Sequence, residues 1–358
     1  MEWPKIRDDL ARLEGYHSPQ VDVQVKLNTN ESPIPPPQQW VDDLGKELRR
    51  VEWNRYPDRS TTKIRSDIAA FHNIDPNMVF VANGSNEVLQ SLLLAYGGLG
   101  RKAAVFEPTY ALHSHISMIT GTEVVIGERK EDFTIDMENV SKVLDQQPNV
   151  LFLCSPNNPT GTIVTSDFVK DVASRCSQMG TLVVVDEAYG EFSDWSATDL
   201  IGEGLPIVIT KTFSKTWSMA GMRLGYMIAP PEIVDATMSV ALPYHLDMLK
   251  QIAGSLALRH VGEMKSRVEL LVQERNRLEE RLRALPIQQW PSGANFILFR
   301  PDKNTRITGE MLWHALLEKS VLVRNCATWP RLEGCLRVTI GTPEENNSFI
   351  DSLEVILE

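Results

Sequence analysis

The sequence predicts an α/β protein, with a larger lobe built on a mostly parallel sheet covered by helices and a smaller α+β lobe. Two observations predict it. From about residue 79 to residue 229, short β-branched runs alternate with helix-period segments. After about Pro243 the alternation gives way to a long run of helix formers, then to strands and helices in a different order. A chain of 358 residues has room for two such unequal lobes. The expected division is an N-terminal arm over residues 1–40, a large lobe over 41–245, and a linking helix with the small lobe over 246–358.

Taken in order, Lys26 to Pro33 leads into a proline-rich stretch ending at Pro37, which reads as an arm crossing a surface. A helix is expected around Val41 to Val51, followed by an exposed segment from Asn54 to Asp58. Ser60 or Thr61 can cap a helix running to Phe71, with Ile64, Ile68 and Phe71 at helical spacing. Strands are expected at Val79 to Ala82, Ala103 to Phe106, Glu123 to Ile126, Asn149 to Leu153, Thr181 to Val185, Ile207 to Thr210 and Leu224 to Ala229. Helices are expected between some of them, at Ser85 to Tyr96, Pro108 to Thr120, Asp136 to Asp145 and Thr165 to Met179. The second of these has proline in its first turn. Leu246 to Leu285, charged from Glu269 to Arg283, reads as one long solvated helix between the lobes. The remainder predicts strands near Asn295 to Phe299, Val321 to Arg324 and Leu336 to Ile340, with helices at Thr308 to Lys319 and Pro343 to Leu357.

Composition narrows the function. Hydrophobic content of 42% and charged content of 23% are ordinary for a soluble globular protein. A net charge of −11 argues against a nucleic-acid surface, and an anionic substrate then needs a few placed arginines. Met1 to Leu10 lacks the apolar core of a signal peptide, and no apolar run reaches membrane-spanning length. The four cysteines are scattered without a Cys-x-x-Cys pair, so a reduced, cytoplasmic protein is expected. No metal signature is visible; His113 and His115, two apart, point to different faces of a helix.

The chemistry concentrates around Lys215. Ile207 to Thr210 suits a buried strand, a hydroxyl-rich segment from Thr212 to Ser218 follows, and Gly221-x-Arg223-x-Gly225 feeds a second apolar run. A lysine fixed between buried strands loses its charge at low cost and can form an imine with a carbonyl. Thr212, Ser214 and Arg223 can hold a phosphate. An aldehyde and a phosphate on one small molecule describe pyridoxal 5'-phosphate (PLP). Gly84-Ser85-Asn86-Glu87 is a strand-to-helix turn that offers an anion site, although alone it is also an ordinary helix start. Asp186, ending a buried run, can face a pyridine nitrogen or merely cap a helix, and Tyr189 can reach the ring's phenolic oxygen. Asn158 sits in a stiff Pro-Asn-Asn-Pro-Thr-Gly turn as a donor to that oxygen; Tyr110, at a helix head, can stack on the ring or pack in the core. Arg324 and Arg337 stand at strands in apolar context, where an arginine can recognise an anion in bidentate fashion or pair at the surface.

As a set, Asn157-Asn158-Pro159-Thr160-Gly161, Asp186-Glu187-Ala188-Tyr189, Ser214-Lys215 and Gly221-x-Arg223-x-Gly225-Tyr226 resemble the fold-type I PLP-dependent aminotransferases of class I/II, in matching order over nearly the whole chain. Leu27 to Pro33, Arg55-Tyr56-Pro57-Asp58 and Gly334 to Asn346 are similar to the family's histidinol-phosphate branch. The resemblance implies that Lys215 carries the cofactor and moves the substrate α-proton, that Asp186 pairs with the pyridinium, and that Asn158 and Tyr189 meet the phenolic oxygen. Ser85, Asn86, Thr212, Ser214 and Arg223 are implied for the phosphate, with Tyr110 stacked on the ring. Asn86 stands where many relatives carry aspartate. Arg337 is implied for the α-carboxylate of a dicarboxylate, and Arg324, helped by Tyr16, for a substrate phosphate, with Asn30 also on the substrate side. Tyr56 is implied to reach the neighbouring subunit's cofactor, and the arm to join the small lobe and the contact of a homodimer. The expected reaction moves an amino group between L-histidinol phosphate and 2-oxoglutarate, giving imidazole-acetol phosphate and glutamate, in histidine biosynthesis. Rival expectations are an aromatic amino-acid aminotransferase, a threonine-phosphate decarboxylase and a PLP-binding regulatory domain without catalysis.

Overall fold

The computed structural model describes residues 3–11, 13, 15 and 20–358. The chain begins with β1 (Val25–Leu27), α1 (Gln38–Leu48) and α2 (Thr62–His72). It continues through β2 (Val79–Ala82), α3 (Ser85–Tyr96), β3 (Lys102–Glu107), α4 (Leu112–Ile119), β4 (Glu123–Glu128), α5 (Met137–Leu144) and β5 (Val150–Cys154). Next come α6 (Ser166–Met179), β6 (Leu182–Asp186), β7 (Ile207–Thr212), β8 (Gly225–Ile228) and α7 (Pro231–Val240). Last are α8 (Met248–Ala257), α9 (Val261–Arg283), β9 (Ile287–Gln289), β10 (Phe296–Pro301), α10 (Gly309–Glu318), β11 (Val321–Asn325), β12 (Leu336–Thr339) and α11 (Pro343–Leu357).

A seven-stranded sheet in the order β2-β8-β7-β6-β5-β3-β4 carries the site. Its pairs are parallel except that β8 runs antiparallel to both β2 and β7. Every residue of β2, β5, β6, β7 and β8 is buried, which is why these strands read as unbroken apolar runs rather than as alternating ones. Strand periodicity splits them between two helical layers. Leu151, Leu153, Val183 and Val185 pack against α5 and α6, whereas Val150, Phe152, Val184 and Val208 pack against α3 and α7. Burial of each such side chain contributes roughly 1.5–3 kcal/mol.

The second sheet has the order β1-β11-β12-β10-β9. Only β1 is parallel to its neighbour, β11; the other pairs are antiparallel. The segment read as a surface arm therefore contributes an edge strand before turning into its proline-rich stretch. Helices α9, α10 and α11 cover this sheet through Leu278, Leu312 and Phe349.

Several expectations need correction. The single helix expected over 246–285 is two, α8 and α9, interrupted at Leu258 to His260. The halves bury different stripes: Ala253, Gly254 and Ala257 of α8 face inward, with Gly254 so close that an added Cβ would lie 2.5 Å from both Ile64 and Leu224. In α9, Met264, Leu271, Leu278 and Leu282 form the inner stripe, so this helix is amphipathic rather than solvated all round. Helix α4 starts at Leu112 instead of Pro108, because Thr109 is held outside the helix by one near and one distant partner. Its N–H donates to the Glu107 carboxylate (2.9 Å) and its hydroxyl to Asn157 Oδ1 (2.7 Å). Neither Ser60 nor Thr61 caps α2; the Asp58 carboxylate accepts from the Ser60 and Thr62 N–H groups at 2.9 and 2.7 Å. Helix α7 and strand β9 were not anticipated. Among the described residues no helix is long and apolar enough to cross a membrane.

Candidate active site

Strands β5, β6 and β7 end side by side, with Cys154 in register with Asp186 and Asp186 with Thr210. The turns beyond them meet the second sheet around a cavity of about 190 Å³. Its walls include Ser85, Asn86, Tyr110, Asn158, Asp186, Tyr189, Thr212, Ser214, Lys215 and Arg223 from the large sheet's side. Asn30, Arg324 and Arg337 close it from the other. Ligands of open α/β sheets bind at such carboxyl edges.

One end is built for an anion. Gly84, at φ +81°, turns the chain from β2 into α3, so the first amides of the helix open towards the cavity. Gly225 allows the close approach behind it, since a Cβ there would stand 2.3 Å from the Ser85 nitrogen. Thr212 Oγ1 donates to Ser214 Oγ (3.0 Å), and Arg223 Nη1 reaches the same oxygen at 3.4 Å. Tyr110 donates its hydroxyl to Asn86 Oδ1 (3.2 Å).

A buried carboxylate stands across from it. Asp186 Oδ1 accepts from the Ala188 N–H (3.1 Å), and Oδ2 accepts from His113 Nε2 (2.8 Å). The His113 ring lies flat on Phe152 at 4.7 Å and meets Tyr110 edge-on at 5.4 Å. His113 was weighed in the sequence only as a metal ligand. Its position three residues after Tyr110, at the start of a helix, was the available signal.

Asn158 and Tyr189 are tied to the second sheet. Arg337 Nη1 donates to Asn158 Oδ1, leaving the Asn158 NH2 as the donor end, and Nη2 donates to the Asn28 carbonyl (2.8 Å). Asn30 Nδ2 donates to the Tyr189 oxygen (2.8 Å), while its Oδ1 accepts from Thr339 (3.0 Å). Burial pushes the Tyr189 phenol up to about 12, opposed by Arg337 and by the Asn30 hydrogen bond, so the phenol keeps its proton to donate. Behind the asparagine turn lies a residue that sequence reasoning missed. Arg129, 3% exposed, donates to the carbonyls of Phe106 and Phe133 (both 3.0 Å) and to Asn157 Oδ1 (2.9 Å). Asn157 in turn binds Thr109 and the Pro108 carbonyl. The first asparagine of the turn thus locks Tyr110's segment against Asn158's, which nothing in the local sequence announces.

Two lysines four residues apart take opposite characters. Lys211 points away from the cavity and pairs with Glu187 (2.9 Å) and Glu191 (3.4 Å), whose charges raise its pKa despite burial. Lys215 Nζ donates to the Thr29 carbonyl (3.0 Å) and lies 5.7 Å from the Tyr189 ring centroid. Burial, then Arg337 and Arg223, outweigh Glu31 and bring its pKa down to about 7. This depression has a stability consequence. Below pH 7 the amine is charged in both the folded and the unfolded chain, and the folded chain carries the full penalty. As pH rises from 7 towards the ordinary value of 10.5, the folded chain sheds its proton first and stability recovers. With nothing bound, Lys215→Met is expected to exceed wild type by about 2–4 kcal/mol in urea unfolding at pH 6. By pH 10 most of that difference should vanish; a pH-independent difference contradicts the depressed pKa.

Tyr56 lies outside the cavity. It is 79% exposed and stacks on Tyr244 with ring centroids 4.5 Å apart. Tyr16 lies outside the described residues.

Residues 22–353 match the family described as aminotransferase class I and II. A histidinol-phosphate aminotransferase of Frankia casuarinae is 41% identical over 97% of this chain and 89% of its own. Among solved structures, the histidinol-phosphate aminotransferase of Clostridium acetobutylicum superposes with a TM-score of 0.85 at 21% identity, covering 93% of this chain and 98% of that one. That of Sinorhizobium meliloti, solved in complex with pyridoxal-5'-phosphate, gives 0.83 at 18% identity, covering 94% and 91%. At such identities these superpositions speak for the fold alone.

Proposed function

Since the chain belongs to the aminotransferase class I and II family, we propose that it transfers an amino group between L-histidinol phosphate and 2-oxoglutarate in histidine biosynthesis, with PLP as cofactor. The observation that carries this reading is one cavity holding an amine depressed to about 7 and a buried, doubly hydrogen-bonded carboxylate. The substrate identity rests on the 41% identical relative.

The donor set fits PLP. Arg223, Thr212, Ser214 and the amides of Ser85 and Asn86 would hold its phosphate, Asp186 the proton on its ring nitrogen, Asn158 and Tyr189 its phenolic oxygen, and Tyr110 a ring face. When bound, the cofactor supplies an electron-withdrawing ring that disperses the electron pair left at a substrate's α-carbon. The chain supplies the rest. Burial and the neighbouring arginines bring the Lys215 amine down to about 7, so Nζ can give up its proton near neutral pH and would then accept the α-proton and return it. His113 and the Ala188 N–H keep Asp186 in one orientation. Arg337 would orient an α-carboxylate, Asn30 would fix Tyr189, and Arg324 would receive the substrate's phosphate. The Asn158–Arg337 bond links cofactor and substrate sides, so their positions are set together. In this reading the chain acts as a cytoplasmic homodimer. The exposed Tyr56, assigned to the neighbouring subunit's cofactor, supports the dimer because it stands away from its own chain's cavity.

The test is a set of half-reactions on the purified PLP form, followed by absorbance, with histidinol phosphate, glutamate, phenylalanine, tyrosine and threonine phosphate. Conversion by histidinol phosphate and glutamate is expected. Conversion only by the aromatic amino acids would replace the reading with an aromatic aminotransferase. Carbon dioxide released from threonine phosphate without an oxo acid would replace it with a decarboxylase. Arg324→Ala should weaken histidinol phosphate by roughly 10–100-fold while leaving glutamate within about threefold. Equal losses would make Arg324 a shared or structural group.

A further inference from the structure

Among the described residues, the cavity walls carry three guanidinium groups and one amine against one carboxylate, Asp186. Arg223 stands at the anion end and Arg337 beside Asn158, whereas Arg324 shares its wall with an indole. The Arg324 guanidinium carbon lies 5.9 Å from the centroid of the Trp329 ring, within range of a cation–π contact. Trp329 belongs to the connection between β11 and β12, and that connection is held from several directions. Cys326 N–H donates to the Cys335 carbonyl, Trp329 N–H to Cys326 and Leu332 N–H to Trp329, at 3.0, 3.0 and 3.2 Å. Arg331 reaches over to the large sheet's side, donating to the carbonyls of Arg129 and Lys130. A loop fixed in this way presents its half-buried indole at one place.

We propose that Trp329 is a specificity-determining residue that acts by positioning: its face seats the Arg324 guanidinium in the cavity wall, favouring a phosphomonoester over a dicarboxylate. The proposal rests on the reading of Arg324 as the substrate-phosphate group. An aromatic seat holds a cation without contributing a negative charge, so an arriving dianion meets an oriented guanidinium. Glutamate, held by its α-carboxylate at Arg337, depends less on this seat. Trp329 also packs against the apolar cluster that contains Trp290 and Leu332, so loss of the indole can loosen the loop for every substrate alike. The two roles separate by substrate and by variant.

The experiment measures the concentration of histidinol phosphate and of glutamate giving half-maximal conversion of the PLP form, for wild type, Trp329→Ala, Trp329→Phe and Arg324→Ala. A calorimetric affinity for glycerol 3-phosphate accompanies each. Trp329→Ala should raise the histidinol-phosphate value about tenfold and the glutamate value less than about threefold, with Trp329→Phe restoring most of the loss. Arg324→Ala should show the same selectivity, and glycerol 3-phosphate affinity should fall with the histidinol-phosphate response. Equal losses on both substrates, no change in Trp329→Ala, or selectivity in Trp329→Ala without selectivity in Arg324→Ala would each overturn the proposal. Should wild type fail to convert histidinol phosphate, the proposed function falls. The glycerol 3-phosphate affinities of the four proteins then decide the role of Trp329 alone.

Discussion

Lys215→Ala is expected to abolish amino transfer, lowering turnover by roughly 10⁴-fold or more, and to end borohydride fixation of the cofactor to the chain. The magnitude follows from losing two roles at one atom. Proton transfer by a positioned base contributes about 10²–10⁴-fold, and the covalent anchoring of the cofactor is lost besides. Among the described residues no other lysine lines the cavity. The nearest lysine in sequence, Lys211, is turned to the other side of the sheet and neutralised by Glu187 and Glu191. Added alkylamines small enough to enter the vacated space should restore part of the rate, whereas full activity in the variant would remove Lys215 from the chemistry. Unchanged melting of the cofactor-stripped variant at pH 10, where the native amine is neutral, would show that the loss is chemical.

Asp186→Ala is expected to cost on the order of 10³-fold in turnover. A carboxylate about 4 Å from a cation at an effective dielectric near 20 contributes about 4 kcal/mol, which is close to a thousandfold in rate. Here that charge would keep the ring nitrogen protonated, and its removal would leave Tyr110 and the phosphate end intact. The cofactor should therefore bind more weakly without being lost. Visible absorbance of the loaded variant, together with half-reaction rates, checks both effects. His113→Phe supplies the control, keeping the stack on Phe152 while deleting the hydrogen bond to Asp186. A loss of about 10-fold or less is expected there. A variant lacking Asp186 that turns over at wild-type rate would detach the carboxylate from catalysis.

Much of the fold could be read directly. Strand β2 and helices α3 and α11 run between the expected residues, because a continuous apolar run, or a Ser or Pro at a helix's first position, marks a boundary locally. Two of the errors share a cause, whereas the capping of α2 is local and turns on Asp58, rather than Ser60 or Thr61, reaching the free N–H groups. The break between α8 and α9 and the late start of α4 depend on partners distant in the chain or on which stripe each segment buries. Propensity does not encode such partners.

The same division holds at the site. Residues whose type alone restricts the chemistry were legible: a lysine after a buried strand, an aspartate ending another, an arginine between two glycines. Their types, order and strand-end positions are local properties, and the sequence by itself determined the fold class and named most of the groups that line the cavity. Tertiary structure alone decided their states and partners. It set Lys215 apart from Lys211, placed His113 on Asp186, and drew Arg129 and Asn157 beneath the turns. Desolvation and hydrogen-bond partnership are summed over every segment folded around a group, and most of those segments are remote from it in the chain.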